Sequence, residues 1–169
     1  GQGALLTSPA RPIVLLPLRD DNPLSERLAP GLGELGVILP YSPLHHLLLQ
    51  GFAGPLVATS ANVSGEPVLT DAHDVTARLG HVVDAWLHHD RPIVRPADDS
   101  VYRSIGGRCR PLRLGRGTTP LELTLTRPLQ RPLLAVGGHM KNSIALAWDD
   151  RVVISPHIGE LGSPRSLDV

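Results

Sequence analysis

Proline and glycine, 17 of each in 169 residues, cut this chain into runs too short for long helices or wide strands, and that punctuation limits its fold more than any other feature. The clearest apolar runs lie between such breakers. Pro12-Ile13-Val14-Leu15-Leu16-Pro17 reads as a buried strand and Gly36-Val37-Ile38-Leu39-Pro40 as a second, ended by a proline that cannot donate to a ladder. Pro55-Leu56-Val57-Ala58-Thr59 gives a third. Ser42 before Pro43 supplies a cap and a preset φ for a helix, and Leu44, Leu47 and Leu48 recur with helical spacing. A further helix is capped by Thr70 or Asp71, with Asp74 in its first turn, Arg78 in its last, Gly80 beyond it, and Ala72, Val75 and Leu79 as its apolar stripe.

From Asp84 onward the helical period fades. Short strands are predicted at 84–87, 92–94, 100–105 and 110–114, the last two joined by a Gly106-Gly107 hairpin turn. Arg127-Pro128-Leu129-Gln130-Arg131-Pro132 reads as a linker, and a meander follows at 133–136, 143–148 and 152–155, with Asp149-Asp150 as a turn. The pattern gives an α/β chain with a first domain over 1–126, a linker over 127–132 and the start of a second domain over 133–169. The opening without methionine and the stop at Ser166-Leu167-Asp168-Val169 lead to the expectation of an internal stretch of a longer protein.

Composition narrows the function classes. A hydrophobic content of 41% suits a globular core, and no run approaches the roughly 20 apolar residues of a membrane span. Gly1-Gln2-Gly3-Ala4 lacks the charged and apolar regions of a signal peptide, so a cytoplasmic location is expected. Cys109 is the single cysteine and has no internal disulfide partner. The formal net charge is zero, which gives no general attraction to membrane or nucleic acid. Lys141 is the only lysine among 16 basic residues, and Arg103, Arg108, Arg110, Arg113 and Arg116 crowd one stretch, where guanidinium forks suit phosphate or carboxylate.

Three groups can carry chemistry. In Thr59-Ser60-Ala61-Asn62-Val63-Ser64-Gly65-Glu66-Pro67, Ser60 and Asn62 alternate around Ala61, so an extended chain points both to one side, and Gly65 lets backbone N–H groups turn toward an anion. The same composition also makes an ordinary polar turn. The arginine stretch is either a phosphate clamp, with Arg108 and Arg110 on one strand face, or a solvated strand face. Asp98-Asp99-Ser100 either holds Mg²⁺ through its adjacent carboxylates or forms a turn. The His45-His46 and His88-His89 pairs diverge from each other and make no metal site alone. Gly31-x-Gly33-x-x-Gly36 has dinucleotide-fingerprint spacing but precedes a strand, which is the wrong context for that motif.

Read together, Leu6 to Leu16, Leu39 to Leu48, Thr59 to Pro67, His89 to Val94 and Asp98 to Val101 occur in the order seen in HypF-type carbamoyltransferases of nickel–iron hydrogenase maturation, which the chain resembles. The resemblance implies a twisted mixed-sheet YrdC-like domain. Val136-Gly137-Gly138-His139-Met140-Lys141-Asn142-Ser143 and Ile154-Ser155-Pro156-His157-Ile158-Gly159-Glu160-Leu161 look like the first strands of the following carbamoyl-transfer domain, with an actin/Hsp70-like ATPase-type fold. His139, Ser143, Pro156 and Glu160 depart from the family's more frequent Glu, Thr, Gln and Asp.

By the same resemblance, Ser60, Asn62 and Arg113 are implied as catalytic. Thr59, Ser60, Ala61, Asn62, Ser64, Asp99, Ser100, Arg110 and Arg113 are implied around the nucleotide, with Asp98 and Asp99 near Mg²⁺. ATP, Mg²⁺ and carbamoyl phosphate are then the small molecules, HypE is the protein acceptor, and zinc belongs to other parts of the parent enzyme. A threonylcarbamoyl-adenylate synthase and a non-catalytic double-stranded RNA-binding module are the alternatives, the latter disfavoured by the neutral charge.

Overall fold

The computed structural model describes residues 1–21, 24, 26–94, 96–139 and 142–159. Parts of the second-domain signatures, namely Met140, Lys141, Glu160 and Leu161, lie outside the described residues, as does the Ser166 to Val169 end. Two compact units form: Gly1–Leu56 with Asp98–Leu121, and Val57–Ala97 with Glu122–Val169.

The first unit is built on a four-stranded mixed sheet. A short helix α1 (Gln2–Leu6) precedes β1 (Ile13–Pro17), and the Gln2 side chain donates to the Leu15 carbonyl at 3.2 Å. β2 (Glu34–Val37) pairs antiparallel with β1, placing Gly36 opposite Leu15. A Cβ at Gly36 would stand 3.0 Å from Ile13 Cγ2, so a larger residue there would press on the central strand. α2 (Pro43–Phe52) starts where the Ser42-Pro43 pair predicts, with the His45 N–H donating to Ser42 Oγ at 3.3 Å. It ends at Ala53, which takes a left-handed φ of 57°.

The expected mixed sheet is present. α3 (Ala72–Leu79) belongs to the other unit, and the chain returns to the sheet as β3 (Val101–Ile105), parallel to β1, and β4 (Arg108–Arg113), antiparallel to β3. The order β2-β1-β3-β4 puts β1 inside the sheet, which is why Val14 and Pro12 are fully buried. Gly106 and Gly107 turn the hairpin with φ of 59° and 75°, as predicted, because both positions need a residue without Cβ strain.

Other expectations give way. No strand forms at 55–59, 84–87 or 92–94. Val57 and Val94 are largely exposed, so these apolar runs found no sheet edge to pair with. α3 is capped by Asp71, which accepts from the N–H groups of His73 and Asp74 at 2.8 and 3.0 Å. Its inward stripe is Val75 and Leu79 with Asp74 and Arg78 beside them, and Ala72 is exposed rather than buried.

The second sheet runs β5-β8-β7-β6, with β5 (Leu121–Thr124), β6 (Leu133–Val136), β7 (Ile144–Trp148) and β8 (Arg151–Ile154). β6, β7 and β8 form the predicted antiparallel meander, turning at Asp149 and Asp150. β5 is an addition that precedes the proline-bearing stretch 127–132. That stretch holds no helix or strand and is fastened where the Leu129 N–H donates to the Asp149 carbonyl at 2.7 Å.

Candidate functional site

The candidate residues divide between the two units. Thr59, Ser60, Ala61, Asn62 and Ser64 belong to the second, while Asp98, Asp99, Ser100, Arg110 and Arg113 belong to the first.

The Thr59–Pro67 loop is organised by its own polar groups. Gly65, with φ of 79°, stands third in a turn that the Glu66 N–H closes onto the Val63 carbonyl at 2.9 Å, a conformation that favours glycine at that position. The Asn62 amide nitrogen donates to the carbonyls of Val63 and Glu66, both at 3.0 Å, and its Oδ1 accepts from the Ser60 hydroxyl. The reverse amide orientation would set Oδ1 against two carbonyl oxygens, so the network fixes which end donates. Thr59, Ser60, Ala61 and Ser64 are exposed, while Leu69 is buried and its N–H binds the Ala61 carbonyl at 2.9 Å.

This arrangement revises the sequence reading of the loop. Both Asn62 amide protons are committed within the loop and the Ser60 proton points to Asn62, so Asn62 shapes the loop rather than offering its donors outward. Nor does the loop leave a strand end, since 55–59 is not a strand. Glu66, its only carboxylate, is half-buried against Arg78 of α3, with Nη1 2.7 Å from Oε2 and Nη2 donating to Oε1 at 3.0 Å. The Glu66 hydrogen bond holds the Arg78 guanidinium above its ordinary pKa, opposed by desolvation and helped by the charges of Glu66 and Asp74.

In the first unit the arginine stretch forms a hairpin rather than one clamp. Arg110 is exposed opposite Arg103, and Arg103 is tied to Glu34 of β2 at 2.7 Å. A register shift between Val101 and Tyr102 sets Arg113 opposite Val101. Because paired residues share a sheet face, this irregularity returns Arg113 to the face of Arg103 and Arg110, where strict alternation from Arg110 would oppose it. Arg113 Nε donates to the Asp99 carbonyl at 2.9 Å, and its Nη1 is 4.0 Å from Asp98 Oδ2.

Two roles expected after Asp98 change. Asp99 takes a 2.7 Å contact from Arg116 Nε, and Asp98 faces Arg113, so the carboxylates are set toward guanidinium groups rather than presented together for Mg²⁺. No cluster of three or more metal-ligating side chains occurs among the described residues. Ser100 is fully buried, and its Oγ accepts from the Gly115 N–H at 2.9 Å while contacting the Thr118 hydroxyl and the Arg116 carbonyl. It is a wall residue rather than a surface contact. Glycine is required at 115, where a Cβ would fall 2.2 Å from the Asp98 carbonyl oxygen.

Arg116, which the sequence marks only as one of five clustered arginines, is the hub of this region. Besides Asp99, its Nη1 and Nη2 donate to the carbonyls of Ala10 and Arg11 at 3.2 and 3.0 Å, and its guanidinium covers the Tyr41 ring. Only Tyr41, inside the Leu39 to Leu48 signature, hinted at such a partner. Two shallow apolar depressions of about 280 and 320 Å³ border Leu18, Leu24 and Leu35 and contain none of the candidate residues. Their linings are mainly apolar, with Glu26 in one and the Arg19–Asp21 pair in the other.

A mixed-sheet domain, a separately packed Ser-x-Asn loop and an ensuing antiparallel sheet define the class: a YrdC-like domain joined to the first strands of another. The family model for Sua5, YciO and YrdC proteins, described as telomere recombination, matches residues 2–115, and the model for the HypF Kae1-like domain matches 128–169. The carbamoyltransferase HypF of Synechocystis sp. is 47% identical over 159 residues, covering 94% of this chain and 21% of that protein. The HypF of Rhodobacter capsulatus is 44% identical, with the same coverages. A crystal structure of full-length HypF in a phosphate- and nucleotide-bound form superposes with a TM-score of 0.87 at 37% identity, covering 98% of this chain and 26% of that one. The chain belongs to the Sua5, YciO and YrdC family and, with its Kae1-like segment, to the HypF-type carbamoyltransferases. It spans about a fifth of the length of the curated relatives it matches.

Proposed function

We propose that this chain is the stretch of a carbamoyltransferase that forms carbamoyl adenylate from carbamoyl phosphate and ATP, the carbamoyl group passing on to the C-terminal cysteine of HypE. The observation that carries the reading is the exposed Ser60–Asn62 loop, held in shape by its own hydrogen bonds within a chain of the HypF family.

Water first cleaves the acyl–phosphate linkage of carbamoyl phosphate, giving carbamate and inorganic phosphate. In the adenylation step a carbamate oxygen then bonds to the α-phosphorus of ATP. The bond from that phosphorus to the bridging oxygen of the β-phosphate breaks, and pyrophosphate leaves with the electron pair. Carbamate is already an anion, so no general base is needed, and catalysis consists of alignment and charge stabilisation. Ser60 and the backbone N–H groups of the turn serve as contacts for the anionic groups, and Asn62 fixes their positions. Mg²⁺ accompanies such chemistry, but Asp98 and Asp99 face arginines and suit it poorly.

The test is carbamoyl-phosphate-dependent ATP–pyrophosphate exchange by the full-length parent enzyme beside its Asn62→Ala variant. A misplaced loop lowers exchange roughly a hundredfold. Unchanged exchange in the variant would remove the loop from the mechanism, and no exchange in the parent would remove the mechanism.

A further inference from the structure

An uncompensated carboxylate among Thr59–Pro67 would repel the phosphates and carbamate of the reaction proposed above, and Glu66 is that carboxylate. Its charge is met from outside the loop. Arg78, in the last turn of α3, contacts both Glu66 oxygens, at 2.7 and 3.0 Å. The Glu66 main-chain carbonyl receives the Asn62 amide at 3.0 Å, and Asn62 in turn receives the Ser60 hydroxyl. Arg78, Glu66, Asn62 and Ser60 therefore form one continuous line of contacts from helix to exposed loop.

We infer that Arg78 is a positioning residue for the Ser60–Asn62 pair, holding Glu66 where its carbonyl orders Asn62 and cancelling the Glu66 charge beside the anionic substrate. The inference rests on the proposed role of the loop. The two side chains are 29% and 26% exposed, so water screens the pair only in part. Asp74, one helical turn before Arg78, adds a second negative charge near the guanidinium. Arg78 also suits the helix C-terminus, whose dipole favours a cation, but that preference alone would not require both Glu66 oxygens as partners.

The geometry separates two effects of removing Arg78. One is loss of a mechanical tie, which any neutral residue at 78 would cause. The other is release of the Glu66 charge, which a second substitution at 66 can undo. The experiment measures KM for carbamoyl phosphate and ATP, together with kcat, in pyrophosphate exchange by the full-length parent enzyme. The variants are Arg78→Gln, Glu66→Gln, their combination and Arg78→Lys, with Asn62→Ala as reference and thermal unfolding followed for each.

Arg78→Gln is expected to raise KM roughly tenfold with a smaller fall in kcat, Arg78→Lys to recover part of that loss, and the combination to return KM to within about threefold of the parent. A combination no better than Arg78→Gln shows that the Glu66 charge is not what Arg78 offsets and overturns the inference. Parent-like KM in Arg78→Gln, beside lost exchange in Asn62→Ala, also overturns it and leaves the loop reading intact. Parent-like exchange in Asn62→Ala defeats the loop reading itself and the inference with it.

Discussion

The guanidinium carbon of Arg116 lies 3.5 Å from the centre of the Tyr41 ring, joining the segment after β4 to the segment that leads into α2. The same side chain reaches Asp99, Ala10 and Arg11, so one residue ties together three stretches that are far apart in sequence. Arg116→Ala removes all of these contacts and is expected to destabilise the chain by about 2 kcal/mol, allowing for partial solvent screening. Tyr41→Phe, which keeps the ring face, should cost less than half as much, and Tyr41→Leu more. Urea unfolding of the three variants measures the order, and equal losses in Tyr41→Phe and Tyr41→Leu would discount the ring contact.

Ser100 separates a structural hydroxyl from a ligand-binding one. Ser100→Ala leaves the buried Gly115 N–H without its acceptor, with an expected loss of about 1–3 kcal/mol in stability. Hydrogen exchange at the Gly115 amide should accelerate accordingly. Substrate KM in the full-length parent enzyme is expected to stay unchanged at temperatures where the variant is folded. A raised KM without loss of stability would return Ser100 to the binding surface.

Asp71 governs the helix that presents Arg78. Its carboxylate accepts two of the first free N–H groups of α3, and Asp71→Ala is expected to cost about 1 kcal/mol. Asp71→Ser, which keeps a cap acceptor, should recover most of it. Amide exchange along α3 reads the effect directly, and uniform protection in Asp71→Ala would show that packing rather than capping sets the helix start.

Asp21 provides a pH test. Hydrogen bonding from Arg19 lowers the Asp21 pKa below its ordinary value, against a smaller opposing effect of desolvation. A carboxylate depressed in the folded state contributes stability above its unfolded pKa and loses it as the pH falls through the folded one. Carbon-13 titration of the Asp21 carboxyl should therefore show a midpoint below the usual aspartate range, rising in Arg19→Ala. The pair is largely exposed, so the shift is expected to shrink in high salt.

The legible parts of the fold were those whose causes are local. Ser42 and Asp71 cap their helices because a side-chain oxygen needs only the next turn of backbone, and Gly106-Gly107 turns its hairpin through its own φ angles. Leu56 and Val57 have a strand's composition but not its partner, and strand pairing is a property of two segments. β5 is the converse case: four residues gain strand identity from their place in the sheet beside β8.

The candidate site divides along the same line. The order of the motifs and the Ser-x-Asn spacing were enough by themselves to assign the family, because those strings are written consecutively in the chain. Which groups face a ligand was decided by tertiary structure. Asn62 turned its donors inward, Ser100 became a buried wall, the Asp98 and Asp99 carboxylates were drawn to arginines, and Arg78 came to Glu66 from a helix twelve residues on. A polar side chain takes the strongest partner within reach, and reach is set by the folded path of the chain.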